Sequence, residues 1–319
     1  MFKWKKSGRI FNPADIKDTS WMNSHAQAPS VVIFPEFVRV FFSSRPAPDV
    51  NGQYISRLAY LDLNKDNLHE IISICKEPIL PLGELGTFDE FGTYPASVIQ
   101  TEDHIRVYYG GWTRCESVTV NAAIGLAISK DNGESFARLG KGPVLSYSPD
   151  EPFVLGSPKI RKFNDTWYLW YCSGRVWLPN DGHPQPVYKL RMAHSTDGIN
   201  WIKVGKNIIE DVLEENECQA SPDVFFYDGK YHMFFSYRYN LNFKETNRGY
   251  RIGYASSSDL LNWTRDDKKA GIEASESGWD SESVSYAHVF ELGNKVYMLY
   301  QGNEMAKYGF GLAELESYN

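Results

Sequence analysis

The sequence repeats a unit of about 64 residues five times. Each unit opens with a short apolar strand that carries a marker residue near its start, and the markers are Pro29, Pro95, Pro158, Pro222 and Ala287. Successive markers lie 66, 63, 64 and 65 positions apart. Within each unit, short runs of alternating apolar residues are separated by turns, and no helical period recurs. Strand-built repeats of this length are typical of the blades of a β-propeller, since the rungs of a solenoid are normally much shorter.

The unit from Ser221 to Trp263 shows the pattern most clearly. Asp228-Gly229 separates two apolar, aromatic-rich runs, and this dipeptide indicates a tight hairpin because both of its residues tolerate positive φ. We therefore predict an all-β fold: a five-bladed β-propeller with four-stranded antiparallel blades that open near residues 28, 94, 157, 221 and 286. The N-terminal segment 2–21 is expected to add a strand to the last blade, which closes the ring and removes two sheet edges. On this interpretation residues 1–319 form a single domain.

Composition and charge exclude some classes of partner. The chain has 33 basic and 40 acidic side chains, a net charge of −7, and this argues against a nucleic-acid or membrane-surface binder, which needs a basic field. No apolar run approaches the ~20 residues of a membrane span. Aromatic residues make up 15% of the chain, which suits both sheet surfaces and sugar-stacking sites.

The cysteines and the N-terminus indicate a compartment. No pair among Cys75, Cys115, Cys172 and Cys218 has CxxC spacing, so neither a zinc site nor a redox pair is indicated. The first six residues are not followed by the apolar region of a secretory signal. We expect a cytoplasmic protein with reduced thiols, and we predict no metal and no cofactor. The sequence does not indicate the oligomeric state.

Three recurring motifs resemble those of the five-bladed propeller glycosidases. They are the P-S/A-x-V starts of the first strands, the Y-x-x-Y-S-G-like second strands, and the I-G-L-A-x-S-x-D-G-x-x-W third strands, clearest at 124–136 and 190–201. The resemblance covers nearly the whole chain and is to glycoside hydrolase families 32, 43, 62, 68 and 117 and to the phosphorylases of family 130. It implies a carbohydrate site at one mouth of the ring, where each first strand starts and each second strand ends.

Three glutamates occupy equivalent positions in the repeat. Counting back five residues from the marker gives Glu90, Glu217 and Glu282, and glycoside cleavage uses such groups to protonate the leaving oxygen and to assist water or attack the sugar. We expect these three residues to be catalytic. Glu217 is the expected proton donor, because the resembled hydrolases carry a Glu before the inner strand of a later blade. The alternative that these are solvated loop residues stays open. The neighbouring Asp89 and Asp280 are expected to cap loops.

Blade one departs from the resembled pattern. Families 32 and 43 place a catalytic Asp directly before the first marker proline, and this chain has Ala28 there. The four residues before Ala28 include His25 and Gln27 but no carboxylate. Ordinary water-activating hydrolysis is therefore not indicated. We expect His25 and Gln27 to contact substrate, with His25 as a base, an anion ligand or plain polar lining.

Arginines recur at the ends of the second strands. Arg45, Arg175 and Arg238 lie 16, 17 and 16 residues after their markers, where their planar guanidinium groups are suited to phosphate or carboxylate. The alternative is that each arginine pairs with a neighbouring glutamate. Longer loops at 176–188 and 239–250 are expected to form the rim. The remaining predicted substrate-binding residues lie near these positions and are Tyr94, Trp112, Trp177 and Asn303.

An arginine cluster without a carboxylate base fits phosphorolysis, in which phosphate itself is the nucleophile. We therefore predict a carbohydrate-active enzyme, of glycoside hydrolase or phosphorylase type, that acts on an anionic or phosphorylated sugar. Two alternatives remain open: a non-catalytic sugar-binding propeller, and an enzyme of sugar-nucleotide or surface-polysaccharide assembly that reuses the fold.

Overall fold

The computed structural model describes residues 1–17, 19–180, 183–213, 216–245 and 247–318. Its strands form five sheets of four antiparallel strands each. Blade one consists of β2 (Ser24–Ile33), β3 (Phe37–Arg45), β4 (Arg57–Asn64) and β5 (Asn67–Ile74). Blade two consists of β6 (Thr93–Gln100), β7 (Ile105–Arg114), β8 (Val120–Ser129) and β9 (Ala137–Arg138). Blade three consists of β10 (Phe153–Phe163), β11 (Thr166–Leu178), β12 (Gln185–Ser195) and β13 (Ile202–Lys203).

Blade four consists of β14 (Cys218–Tyr227), β15 (Lys230–Arg238), β16 (Arg251–Ser257) and β17 (Thr264–Arg265). Blade five consists of β18 (Ser285–Leu292), β19 (Lys295–Gln301), β20 (Phe310–Tyr318) and the N-terminal strand β1 (Phe2–Phe11). The helical segments among the described residues are two 3-10 turns, Pro13–Asp15 and Asp267–Lys269, and one helical turn, α1 (Asn303–Ala306). No helix in these ranges has the length and apolar character needed to cross a membrane.

The blades close into a ring. The inner strands β2, β6, β10, β14 and β18 lie side by side in that order, and β18 returns to contact β2. In blade five β1 pairs with β20, so that Phe2 lies opposite Tyr318. The predicted five-bladed propeller and its closure by an N-terminal strand are therefore confirmed. The rim loop predicted at 176–188 is shorter than expected, because β11 and β12 extend into it as a hairpin.

Apolar side chains on facing sheet surfaces hold neighbouring blades together. Between blades four and five, Phe2 is fully buried and packs against Phe234, Tyr254 and Met298. The ring centroids of Phe2 and Phe234 are 5.2 Å apart at an angle of 72°, an edge-to-face arrangement. Because β1 supplies Phe2, the N-terminal strand buries apolar surface between the blades as well as completing the last sheet.

Every inner strand bulges at the same point of the repeat, directly before its marker residue. The pairing of the inner and second strands shifts register there in all five blades. In four blades the bulged residue has positive φ, at 52° for Ala28, 48° for Ser157, 47° for Ser221 and 54° for Tyr286. In blade two the Tyr94-Pro95 peptide is cis instead. Bulges re-aim side chains next to binding sites, and these five bulges bring one residue from each blade to the same end of the ring.

Candidate functional site

A cluster of four tyrosines spans the mouth of the ring. Tyr94, Tyr188, Tyr250 and Tyr286 come from blades two, three, four and five, and pack with Ala28 of blade one. The rings of Tyr94 and Tyr286 are 6.2 Å apart and nearly parallel, and those of Tyr286 and Tyr250 are 6.0 Å apart and perpendicular. The hydroxyls of Tyr188 and Tyr250 are 2.5 Å apart. Side chains far apart in sequence therefore share one surface, as the repeat predicts.

Arg238 flanks this tyrosine cluster on the side of blade four. Its Nη2 donates to the Tyr188 hydroxyl at 3.0 Å, and its Nη1 donates to the carbonyl oxygens of Tyr239 and Asn240. The guanidinium also lies 5.2 Å from the centroid of the Tyr250 ring. Arg238 is 5% exposed, and its Nε has no hydrogen-bond partner among the described residues. It is a buried positive charge that positions the tyrosines without a carboxylate partner in those ranges.

Arg45 and His25 flank the cluster on the side of blade one. The Arg45 guanidinium lies 5.7 Å from the Tyr94 ring and 5.1 Å from the Tyr54 ring, and its Nε donates to the Ser56 hydroxyl at 3.3 Å. No described carboxylate forms an ion pair with Arg45. The His25 ring lies 5.4 Å from that of Tyr54. Arg45 therefore has guanidinium hydrogens that no carboxylate of the described residues occupies.

The floor of the mouth contains buried polar atoms without protein partners in the described ranges. They are Gln27 Oε1, Thr93 Oγ1, Ser221 Oγ and Gln301 Nε2. The remaining ends of the two glutamines are fixed, because Gln27 Nε2 donates to the Met305 carbonyl at 2.9 Å and Gln301 Oε1 accepts from the Ala28 amide at 3.1 Å. A buried polar group without a partner is costly. Such a set of donors and acceptors is suited to the hydroxyl groups of a sugar.

Neutral tyrosines and two arginines dominate the described part of the floor of the mouth. Burial raises the pKa of Tyr94, Tyr250 and Tyr286 above the ordinary tyrosine value, so their hydroxyls stay neutral. Burial, together with the nearby charges of Arg45 and Lys307, lowers the pKa of His25 to about 3. His25 is therefore neutral at physiological pH. The five bulged positions carry Ala, Tyr, Ser, Ser and Tyr. The missing carboxylate noted at Ala28 in blade one is therefore missing at the equivalent position of every blade.

The carboxylate of Glu217 bonds to protein groups and is not free to contact a ligand at the mouth. Its side chain is 0% exposed, and its Oε1 accepts from Arg265 Nη1 at 2.7 Å and from Gln219 Nε2 at 3.0 Å. Its Oε2 accepts from the amides of Val212 and Leu213 at 3.1 and 3.0 Å. Both oxygens are thus occupied by protein donors. A proton donor must reach the leaving oxygen of the substrate, so the structure does not support Glu217 as the acid, and we assign it a structural role.

The same structural link recurs in three other blades. Before each inner strand a buried carboxylate accepts from a tyrosine of the second strand and pairs with a cation of the outermost strand. The sets are Asp89 with Tyr109 and Arg138, Glu151 with Tyr171 and Lys203, and Asp280 with Tyr300 and Lys6. Sequence reasoning missed Glu151, because counting back a fixed five residues skips it. Asp89 and Asp280 are structural as expected, although as ion pairs rather than as loop caps alone.

The other two predicted glutamates lie on loops at the same end of the ring. Glu90 accepts from the Gly86 amide at 2.8 Å and so stabilises a turn. Glu282 is exposed, and no described side chain bonds to its carboxylate. Its backbone amide donates to Asn303 Oδ1 at 2.8 Å, and it lies four residues before Tyr286. Of the three predicted glutamates, Glu282 is the one whose carboxylate is not used by the described protein.

Three predicted substrate-binding residues contact other parts of the protein, and their role in binding stays a prediction. Arg175 donates to the Asp150 carbonyl and pairs with the same aspartate, so it matches the alternative of a neighbouring acidic partner. Trp177 packs on Phe153, with ring centroids 5.9 Å apart. Asn303 is buried and holds the 278–283 loop through its amide.

By contrast, Trp112 belongs to the mouth. It stacks on Tyr94 at 6.3 Å and donates its indole N–H to the Tyr94 carbonyl. Sequence reasoning missed Tyr188, Tyr250 and Tyr286, although a signal was present. Tyr188 and Tyr250 are the last residues of the two predicted rim loops, and Tyr286 directly precedes a marker.

Metal binding has no structural support within the described ranges. No group of three or more His, Cys, Asp or Glu residues there is arranged to hold a metal ion.

Two curated proteins are similar to the chain along its length. They are the uncharacterized proteins MT1551 and Rv1502 of Mycobacterium tuberculosis strains CDC 1551 / Oshkosh and ATCC 25618 / H37Rv. Each is 33% identical over 319 residues, which covers 98% of this chain and 99% of the relative. No protein-family model matches the chain.

Solved structures with this fold include carbohydrate-active enzymes. A glycoside hydrolase aligns with a TM-score of 0.76 at 16% identity, over 100% of this chain and 93% of the other. A structure described under the family 130 mannoside phosphorylases, which contain glycoside hydrolases that target β-1,2 mannosidic linkages in Candida mannan, aligns with a TM-score of 0.73 at 14% identity, over 98% and 93%. A thermostable family 43 glycoside hydrolase aligns with a TM-score of 0.66 at 14% identity, over 94% and 93%. The resemblance to the five-bladed propeller glycosidases is thus confirmed at the level of fold.

Proposed function

The chain belongs to the same family as the mycobacterial proteins MT1551 and Rv1502, and we propose that it is a carbohydrate-active enzyme whose ring mouth binds an anionic or phosphorylated sugar. The observation that carries this proposal is the pairing of Arg45, which has no carboxylate partner in the described ranges, with a floor of tyrosines. Planar guanidinium groups recognise phosphate and carboxylate bidentately.

The neutral part of the mouth supports a sugar as the rest of the ligand. Trp112, which stacks on the buried Tyr94 and is itself partly exposed, offers an aromatic surface to the apolar face of a pyranose ring. The buried polar atoms of Gln27, Ser221 and Gln301 offer hydrogen bonds to ring hydroxyls. A small number of fixed polar groups in an aromatic site is the usual composition of a selective small-molecule pocket.

The reaction we propose is phosphate-dependent cleavage of a glycosidic bond. One oxygen of a phosphate ion held by Arg45 attacks the anomeric carbon and forms the new carbon–oxygen bond, so the product is a phosphorylated sugar whose phosphate Arg45 already holds. The bond between that carbon and the glycosidic oxygen breaks, and the leaving oxygen takes a proton from a carboxylic acid. Glu282 is the proposed acid, because its carboxylate is exposed and no described side chain bonds to it. This route requires no carboxylate base, which agrees with Ala28 in blade one.

A second candidate is a sugar-binding propeller without turnover. The specific observation in its favour is that none of the five bulged residues is acidic. It shares with the first candidate the anionic ligand and the role of Arg45, and it differs in predicting that no product forms.

Binding and turnover are tested together with a panel of aldose 1-phosphates, oligosaccharides that contain uronic acids, and neutral oligosaccharides. Binding is measured by calorimetry, and products are measured by chromatography with and without inorganic phosphate. The proposal predicts binding of phosphorylated or carboxylated sugars in preference to their neutral counterparts, and product only when phosphate is present. Binding without product in any arm supports the second candidate. Equal affinity for neutral and anionic sugars contradicts both candidates.

A further inference from the structure

A groove on the rim of the mouth is lined by residues of three blades, and we call it the rim groove. Its walls are the loop that follows β3 of blade one and the loop that joins β7 and β8 of blade two, and Pro184 of the β11–β12 hairpin also lines it. Its volume is about 300 Å³, at the lower end of the range for small-molecule sites. Its polar lining residues include Asn51, Gln53, Arg114, Cys115, Ser117 and Thr119. None of these six belongs to the tyrosine cluster at the floor of the mouth.

The rim groove adjoins the mouth along both of its walls. On β7, Trp112 and Arg114 lie two positions apart in a regular ladder, so their side chains emerge on the same face of the sheet. Trp112 belongs to the mouth, and Arg114 lines the groove. On the other wall Gln53 lines the groove, and the next residue, Tyr54, is 41% exposed, with its ring centroid 5.1 Å from the Arg45 guanidinium. A sugar chain whose end lies at the mouth can therefore extend into the groove.

Asp49 joins the two walls of the rim groove and fixes their shape. Its Oδ1 accepts from the backbone amides of Asn51 and Gln53 at 2.9 and 3.0 Å, which holds the blade-one loop in a tight turn. Its Oδ2 accepts from Arg114 Nη2 at the end of β7. The Arg114 guanidinium also lies 4.5 Å from the centroid of the Phe91 ring. The groove is therefore formed before any ligand arrives, and a formed site loses less affinity to the ordering of its loops.

The charges and polar groups of the rim groove favour a neutral ligand rich in hydroxyl groups. The guanidinium of Arg114 is paired with Asp49, and the other charged lining residue is the exposed Glu116, so a second anionic group is disfavoured. Four neutral polar side chains remain, and none of them bonds to another described residue: Asn51, Gln53, Ser117 and Thr119. Amides and hydroxyls both donate and accept hydrogen bonds. The hydroxyls of a sugar do the same.

We propose that the rim groove is a distal subsite, which binds a neutral sugar unit of an oligosaccharide whose terminal unit lies in the mouth. The inference rests on the carbohydrate site proposed at the mouth, and it adds that the substrate is a chain of at least two sugar units. The aromatic surfaces of Trp112 and Tyr54 lie where such a chain leaves the mouth. Because the groove adds hydrogen bonds that a monosaccharide does not reach, a longer chain should bind about 10-fold more tightly.

Cys115 is a reporter for occupation of the rim groove. Its thiol is exposed, whereas Cys172 and Cys218 are buried and burial raises the pKa of Cys75 to about 11, so a maleimide reacts first at Cys115. The labelling rate of the full chain is measured by intact mass with neutral gluco-, manno-, galacto- and fructo-saccharides of one to four units in α and β linkages. At least one trisaccharide should slow the labelling by about 10-fold, and its monosaccharide should not. The absence of protection by every member of this panel would overturn the proposal.

Two glutamine variants test whether the protection arises in the rim groove. Gln53→Ala removes an amide of the groove while Asp49 still holds the backbone of residue 53, and it should weaken binding of the protecting trisaccharide by about 10-fold in calorimetry. Gln100→Ala is the matched control, because Gln100 is exposed at the other end of β6. Equal affinities in the two variants would show that the groove is not a subsite.

The same measurements separate this proposal from the anion site at Arg45. If trisaccharides protect Cys115 but aldose 1-phosphates do not bind, the proposed anionic ligand is wrong and the distal subsite stands. If aldose 1-phosphates bind but chain length has no effect on affinity or on the labelling of Cys115, the distal subsite is wrong and the anion site stands.

Discussion

Arg265 Nη1 lies 2.7 Å from Glu217 Oε1, and this ion pair ties the residue directly before β14 to the outermost strand of the same blade. Arg265 also pairs with Asp267 at 2.8 Å. Corresponding links in blades two, three and five join Asp89, Glu151 and Asp280 to their outer strands. The recurrence of carboxylates before the inner strands therefore reflects the need to hold each blade together across its width. It does not reflect the recurrence of a catalytic group.

Replacing Glu217 with alanine should destabilise the fold. The change leaves Arg265 and two backbone amides without their shared acceptor, and removing one partner of a buried pair costs about 3–5 kcal/mol. Because Arg265 keeps Asp267, we expect a loss near 3 kcal/mol in the free energy of unfolding, measured by urea titration. Glu90→Ala is the control, with a change within about 0.5 kcal/mol at an exposed turn. A Glu217→Ala protein of wild-type stability that had lost all turnover would restore the proton-donor interpretation.

The fold could be predicted from the sequence because its determinants are local and repeated. Three local signals predict the same four-stranded repeat unit. They are turn dipeptides such as Asp228-Gly229, strands of alternating apolar residues, and marker residues at a nearly constant interval. The site could be predicted only in part. Arg45, Arg238 and Tyr94 lie at one end of the ring, since the second strands end there and the inner strands begin there, and their role in binding stays a prediction. Glu217 and Arg175 share those positions in the repeat, but their partners Arg265 and Asp150 cannot be identified from spacing alone.

Arg45 should dominate the affinity for an anionic ligand. Its side chain faces the tyrosine cluster with no described carboxylate partner, and a hydrogen bond to a charged group contributes about 1.5–3 kcal/mol. Arg45→Met is therefore expected to weaken binding of a phosphorylated sugar by about 10- to 100-fold, measured by calorimetry. Arg175→Met is the matched control, because Arg175 has the equivalent position in the repeat but pairs with Asp150. Equal losses in the two variants would argue against an anion site at Arg45.

Buried histidines should make the protein less stable as the pH falls. Burial and the charges of Arg45 and Lys307 lower the pKa of His25 to about 3, whereas its value in the unfolded chain is near 6.5. Between these values the unfolded chain binds a proton that the folded protein does not, so the free energy of unfolding rises with pH. His25→Gln should make that dependence shallower, by up to about 1.4 kcal/mol per pH unit.

Denaturant titrations between pH 4 and pH 7 measure this dependence. Part of the slope will remain in His25→Gln, because burial also lowers the pKa of His288, to about 4, and that of His232. His69→Gln is the control, since His69 is exposed. If His25→Gln and His69→Gln change the slope equally, His25 is not held neutral by its surroundings.

Glu282 should matter for turnover and not for stability. Its carboxylate is exposed and has no described side-chain partner, while its amide is held by Asn303 beside the mouth. If it protonates the leaving oxygen, Glu282→Gln keeps the hydrogen-bonding shape and removes the proton, so kcat should fall by about 100-fold or more while binding changes little. Because a proton donor is needed least when the leaving group is acidic, a nitrophenyl glycoside substrate should recover much of the lost rate in this variant.

Glu90→Gln is the control, because Glu90 has the equivalent position in the repeat but supports a turn, and it should keep full turnover with both substrates. A Glu282→Gln protein with an unchanged kcat on the natural substrate would remove Glu282 from the mechanism, leaving anion recognition at Arg45 as the supported part of the site.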